Sequence, residues 1–136
     1  MSMMTALIQH LLGNAGVSAL VSTRVYPERL PDSTTETPNT MPLVTCELVD
    51  EPLVTTHGGQ TLFKAQVQVD AWGGSYKSSQ DVANAVFAAL QGYTGWMGDQ
   101  TVQVGGVFRQ SKRDNSQPDV HLFRVTQNFL INWKEA

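Results

Sequence analysis

Cysteine is almost missing from this sequence. Cys46 is the single one among 136 residues. One thiol closes no disulfide within the chain and builds no multi-cysteine metal site. Histidine is scarce as well, and His10, His57 and His121 include no pair at metal-binding spacing. Charged residues make up 15% of the chain, against about 25% in average usage. What charge there is leans acidic, with nine Lys and Arg against twelve Asp and Glu, a net charge of −3 and a pI near 5.5. A strong binder of nucleic acid or of an anionic membrane needs clustered cations, and this balance does not supply them. No run approaches the roughly 20 apolar residues of a membrane span. The N-terminal Met-Ser-Met-Met-Thr-Ala-Leu-Ile has no basic stretch ahead of its apolar residues, so it does not read as a secretion signal. The expectation is a single domain over residues 1–136, made and folded in a reducing cytosol.

The apolar pattern supplies the elements. Met4, Leu7, Ile8, Leu11 and Leu12 recur at helical spacing, and Gly13-Asn14 supplies a stop. A short helical turn follows over Val17, Ala19, Leu20 and Val21. Arg24-Val25-Tyr26-Pro27 reads as extended, because a residue before proline avoids the helical region. Residues 27–42 hold four prolines among Ser and Thr and read as a long loop. Leu43 to Val54 is an expected strand, turned at His57-Gly58-Gly59-Gln60. Phe63, Ala65, Val67, Val69 and Ala71 then alternate with Lys64, Gln66, Gln68 and Asp70, the period-two pattern of a half-covered strand. Ser78 or Ser79, with Asp81, is the expected cap of a second helix carrying Val82, Ala83, Val86, Ala89 and Leu90, stopped at Gly92. A Gly-rich link containing Trp96 leads to two strands near 101–110 and 120–133, joined by a polar tip over 111–119. The fold class expected is α+β, a mostly antiparallel sheet of four to five strands packed against two main helices.

Residues for chemistry are hard to find. Cys46 falls mid-strand between Val44 and Leu48, where a small buried hydrophobe fits better than a nucleophile. Gly58-Gly59, Gly73-Gly74 and Gly105-Gly106 lack the spacing and the Lys-Ser/Thr of phosphate-binding loops, and turns or a bulge account for them. Glu47, Asp50, Glu51 and Asp70 read as one solvated acidic face. No cofactor is implied. Arg109, Lys112, Arg113 and Arg124 gather near the last hairpin, beside Asp114, and suit contact with an acidic partner. Candidate contact residues in the Pro-rich loop and its approach are Tyr26, Glu28, Arg29, Asp32 and Glu36.

The order of these pieces resembles a known family. Gly16-Val17-Ser18-Ala19-Leu20-Val21 leads to Arg24-Val25-Tyr26-Pro27, a Pro-rich loop, and Met41-Pro42-Leu43-Val44-Thr45. Then come Ala65-Gln66-Val67-Gln68-Val69-Asp70-Ala71-Trp72, Tyr76 and the helix over Ala83–Leu90. Together they resemble the tail-completion, or tail-terminator, proteins of long-tailed (siphovirus-like) bacteriophages and prophages. The resemblance covers roughly residues 5–92 and, more loosely, the last two strands. It implies a structural, non-enzymatic virion protein of the tail-neck region, assembled in the bacterial cytoplasm. It further implies a homo-oligomeric ring, typically of six, on the end of the tail tube. Such a ring ends tube polymerisation and docks the head's connector or head-completion protein, while DNA passes through unread. The loop after Pro27 is longer than the family's usual one, and Leu43-Val44-Thr45 replaces a more aromatic strand start. Two other readings stand beside this one: a neck adaptor on the portal side, and an unrelated ligand-binding α+β domain.

Overall fold

The computed structural model describes residues 3–27, 42–55, 61–98, 102–115 and 123–135. Three helices and seven strands follow one another along them. Helix α1 spans Met3–Leu12 and α2 Ala15–Val21. Strands β1 (Val25–Pro27), β2 (Leu43–Asp50), β3 (Leu53–Thr55) and β4 (Thr61–Gly73) come next. Helix α3 is Tyr76–Leu90, and β5 (Gly95–Met97), β6 (Val102–Asp114) and β7 (Phe123–Glu135) complete the order.

All seven strands form one sheet in the order β1-β2-β4-β7-β6-β5, with β3 also paired to β4. The α+β class expected from the sequence holds, but its details change. Among the described residues the sheet has seven strands instead of four to five, and the expected short helical turn is a third helix beside the two main ones. It is also mixed, because β1 pairs parallel to β2. Local turn signals favour antiparallel neighbours and carry no information about a pairing made across the stretch from 28 to 41. Arg24 fixes that pairing at its base. Its carbonyl accepts from the Val44 N–H at 2.9 Å, and its Nε donates to the Pro42 carbonyl at 2.9 Å.

The expected strand from Leu43 to Val54 is two strands. Pro52 interrupts the ladder, a residue without an N–H to donate, while its carbonyl accepts from Lys64 N–H at 3.2 Å. Trp96 lies in a short edge strand, not a link. The last hairpin is longer than expected, so Ser111–Asp114 belong to β6 and not to a loop tip. The N-cap of α3 is Ser75, whose hydroxyl accepts from Ser78 N–H at 3.1 Å, so Ser78 and Ser79 sit inside the helix.

The three helices cover one face of the sheet. Ala65, Val67, Val69 and Ala71 of β4 and Val125, Phe129 and Ile131 of β7 are buried beneath Val82, Val86 and Leu90 of α3. Helix α1 contributes Met3, Ala6, Leu7 and Leu11. That stripe is turned from the expected one, with Met4, Ile8 and Leu12 at its margin. Helix α2, bent 82° from α1, adds Val17 and Val21, whereas Ala19 and Leu20 face out. His10 ties α1 to α3: its Nε2 lies 3.2 Å from the Ala89 carbonyl, and its ring packs 4.3 Å from Tyr93. Gly73 permits the tight entry into α3, since a Cβ there would stand 2.7 Å from the Ser79 nitrogen.

Both lateral edges of the sheet are stepped. On one side β1 covers only Val44–Cys46 of β2, and Glu47–Asp50 are exposed. On the other side β5 covers only Val102–Val104 of β6. The turn after α3 covers a little more, with Gly92 N–H on the Val107 carbonyl at 2.9 Å and the Gln91 side chain accepting from Arg109 N–H at 2.8 Å. Among the described residues no strand lies beyond Gln110–Arg113.

Candidate functional site

The structure separates the basic residues that the sequence places together. Arg109 pairs with Phe129 on the helix-covered side. Its guanidinium lies 4.1 Å from the centre of the Phe87 ring, and its Nη1 donates to Gln127 Oε1 at 3.3 Å. Arg124 is on the opposite face, 4.9 Å from the Trp72 ring centre. Lys112, Arg113 and Asp114 are exposed along the end of β6, with Arg113 opposite Thr126. Tyr26 is half-buried in the middle of β1. Glu28, Arg29, Asp32 and Glu36 lie outside the described residues, as do His57 and His121.

The acidic face is also split. Glu47 and Asp50 are exposed, but Asp70 retains only 7% of its surface. It lies on the face away from the helices, in a row that runs Tyr26, Thr45, Asp70, Thr126, Arg113 across five strands. Thr126 donates its hydroxyl to Asp70 Oδ1 at 2.6 Å and accepts from Asn115 Nδ2 at 2.8 Å. Gln68 Nε2 donates to Asp70 Oδ2 at 3.1 Å. Beside them the Trp72 indole N–H donates to Thr45 Oγ1 at 3.0 Å. Buried polar groups are tolerated when each finds such a partner. Strand alternation places Asp70 and Trp72 on this face, but their burial depends on neighbours that meet only in the folded sheet.

The other end of the same face is a groove of about 400 Å³, lined by Leu62, Lys64, Gln103, Asn132 and Lys134 among others. The glycine pair in β6 shapes the adjoining surface. Gly105 is the extra residue where the β6–β7 register shifts, and the Phe108 ring folds over Gly106, where a Cβ would meet it at 2.9 Å. Phe108 keeps half of its surface exposed. Cys46 is wholly buried on the helix side, and burial pushes its thiol up to about 12, with the Asp70 charge adding to the effect. A thiol held neutral is a packing group at physiological pH. Among the described residues no three His, Cys, Asp or Glu side chains gather to hold a metal, and no single helix is long and apolar enough to cross a membrane.

What remains are surfaces for contact: two stepped edges, a polar end and a grooved end of one open face. A family model described as tail completion protein gp17 matches residues 5–132. The chain belongs to that family. The tail completion family is one of structural phage tail proteins, as the ordered motifs from Gly16 to Leu90 imply. A chain in a solved structure described as the virion of a native gene transfer agent particle has the same fold. The TM-score is 0.69 at 20% identity, over 99% of this chain and 96% of that one. No curated protein sequence matches.

Proposed function

We propose that this tail completion family member is a ring subunit at the head-proximal end of a phage tail tube, where it ends tube polymerisation and presents the surface that docks the head. The family match over residues 5–132 carries the reading. The shared fold with a chain of a gene transfer agent virion supports it. So does the architecture, because a ring of identical copies needs two different, complementary sides on each subunit, and a sheet with two unlike edges supplies them. The partners on this reading are further copies of itself, the tail tube protein and the head's connector. The candidate contact residues are Tyr26, the Pro-rich loop's Glu28, Arg29, Asp32 and Glu36, and Arg109, Lys112, Arg113, Asp114 and Arg124 of the last hairpin. One domain over 1–136 serves all these contacts. DNA passes through without being read, consistent with the net charge of −3.

Electron microscopy of particles assembled without this protein tests the reading. Overlong tails, or finished tails without heads, are expected. Normal-length tails that lack only the portal-side collar would instead fit a neck adaptor, and normal virions would remove both roles.

A further inference from the structure

The two lateral edges of the sheet are complementary to each other. From these steps we infer that neighbouring copies join edge to edge, the β1 side of one docking on the β6 side of the next, so that the sheet runs on between subunits. This joint rests on the ring reading above and gives it an interface.

Three observations carry it. The steps match in height. The row through Tyr26, Thr45, Asp70, Thr126 and Arg113 puts Tyr26 and Arg113 level at opposite edges. A rotation about an axis along the strands keeps that level, so Tyr26 of one copy meets Arg113 of its neighbour. The open stretch of β2 is level with Arg109, because Leu48, Val67, Phe129 and Arg109 form another row. There the Gln91–Gly92 turn of the neighbour fills the step that β1 leaves.

The strand directions also match. β1 is parallel to β2, and each later step in the order from β2 through β4 and β7 to β6 is antiparallel. β1 and β6 therefore run in opposite directions, and the new pair is antiparallel. It is a one-way ladder: the Val25 N–H is already bonded to the Thr23 carbonyl at 2.9 Å and Pro27 has no N–H, so β1 contributes carbonyls and the donors come from β6.

Finally, the charges are opposite. Glu47 and Asp50 are exposed on the β2 side, and Lys112 and Arg113 on the β6 side with Asp114 next to them, while Arg109 is turned inward onto Phe87 and Gln127. Leu48 and Val49, 40% and 55% exposed, give the acidic edge apolar surface to bury. Two patches unlike each other but each complementary to the other form a heterologous contact, which closes into a ring when the rotation divides a full circle.

Paired cysteines test the joint. Residues opposed across an antiparallel pair have Cα atoms about 4.5–5.5 Å apart, within reach of a disulfide. After oxidation the double variant Tyr26→Cys/Arg113→Cys should give a covalent ladder up to ring size on a denaturing, non-reducing gel. Each single variant should give nothing beyond a dimer. Cys46 is fully buried and stays out of the reaction.

Charge reversal gives a second reading. Glu47→Lys/Asp50→Lys and Lys112→Glu/Arg113→Glu should each weaken assembly at least tenfold alone, and an equimolar mixture should restore it with the two variants alternating. Rings that form without a ladder and ignore both reversals overturn the edge joint and leave the ring reading standing. A wild-type chain that stays monomeric at every concentration and on tube ends overturns both.

Discussion

Gln127 Nε2 donates to the Ala83 carbonyl at 2.9 Å, so a fully buried amide of β7 is fixed to the middle of α3. The same side chain accepts from Arg109 at its other end. It links helix, central strand and the margin of the basic edge. A mid-helix carbonyl also accepts the N–H four residues on, so Ala83 is satisfied without Gln127. Volume should therefore matter more than the bond. Gln127→Leu, close in size, is expected to cost within about 1 kcal/mol. Gln127→Ala opens a cavity and should cost about 2–4 kcal/mol. Urea unfolding of the two variants decides the order, and a Leu variant as weak as the Ala variant would show that the hydrogen bond dominates.

The Thr126–Asp70 pair behaves differently. Thr126→Val keeps the shape but leaves Asp70 Oδ1 with only the longer 3.4 Å bond from Gln68 Nε2, and takes the Thr126 acceptor from the Asn115 amide. The expected loss is about 1–3 kcal/mol, read from chemical denaturation. A neutral result would mean that water replaces the hydroxyl.

Cys46 should make the fold sensitive to alkali. Its thiol titrates near 9.0 ordinarily and near 12 in the folded chain, chiefly because burial disfavours the thiolate. Between those values the unfolded chain has lost the proton that the folded chain keeps. The stabilisation is thus complete below about pH 9 and falls as pH rises toward 12, by up to about 1.4 kcal/mol per pH unit. Stability curves of the wild type and Cys46→Val should diverge above pH 9, with the variant losing less. Parallel curves would count against this cause.

Two local substitutions test the entry into α3. Ser75→Ala removes the acceptor for Ser78 N–H and should cost about 1 kcal/mol. Gly73→Ala drives a Cβ to within 2.7 Å of the Ser79 backbone nitrogen, and backbone cannot swing aside as a side chain can. A loss of about 1–3 kcal/mol is expected. Thermal melts of both variants provide the measurement, and a Gly73→Ala melt matching the wild type would mean that the β4–α3 turn shifts freely.

Much of the architecture was legible in the residues. The alternation from Phe63 to Ala71 showed which side of β4 is buried, because a strand's period of two leaves no other assignment. The helical spacing of Val82, Val86 and Leu90 marked the stripe of α3 in the same way. The ordered motifs from Gly16 to Leu90 were enough for the family. These signals are local or repeat within one element.

The tertiary structure decided the rest, because it depends on residues far apart in the chain. The parallel place of β1 beside β2, joined by Arg24 to Pro42 and Val44, could not be read from either segment alone. Asp70 is charged and sits on a polar-looking face, yet Thr126, 56 positions away, takes it out of solvent. Arg109 and Arg124 look like one basic cluster in sequence, but a hairpin with a register shift in β6 sends them to opposite faces of the sheet. The level row from Tyr26 to Arg113 crosses five strands and exists only once they are in register. Periodicity fixes which way a side chain points along its own strand, and only pairing fixes what stands beside it.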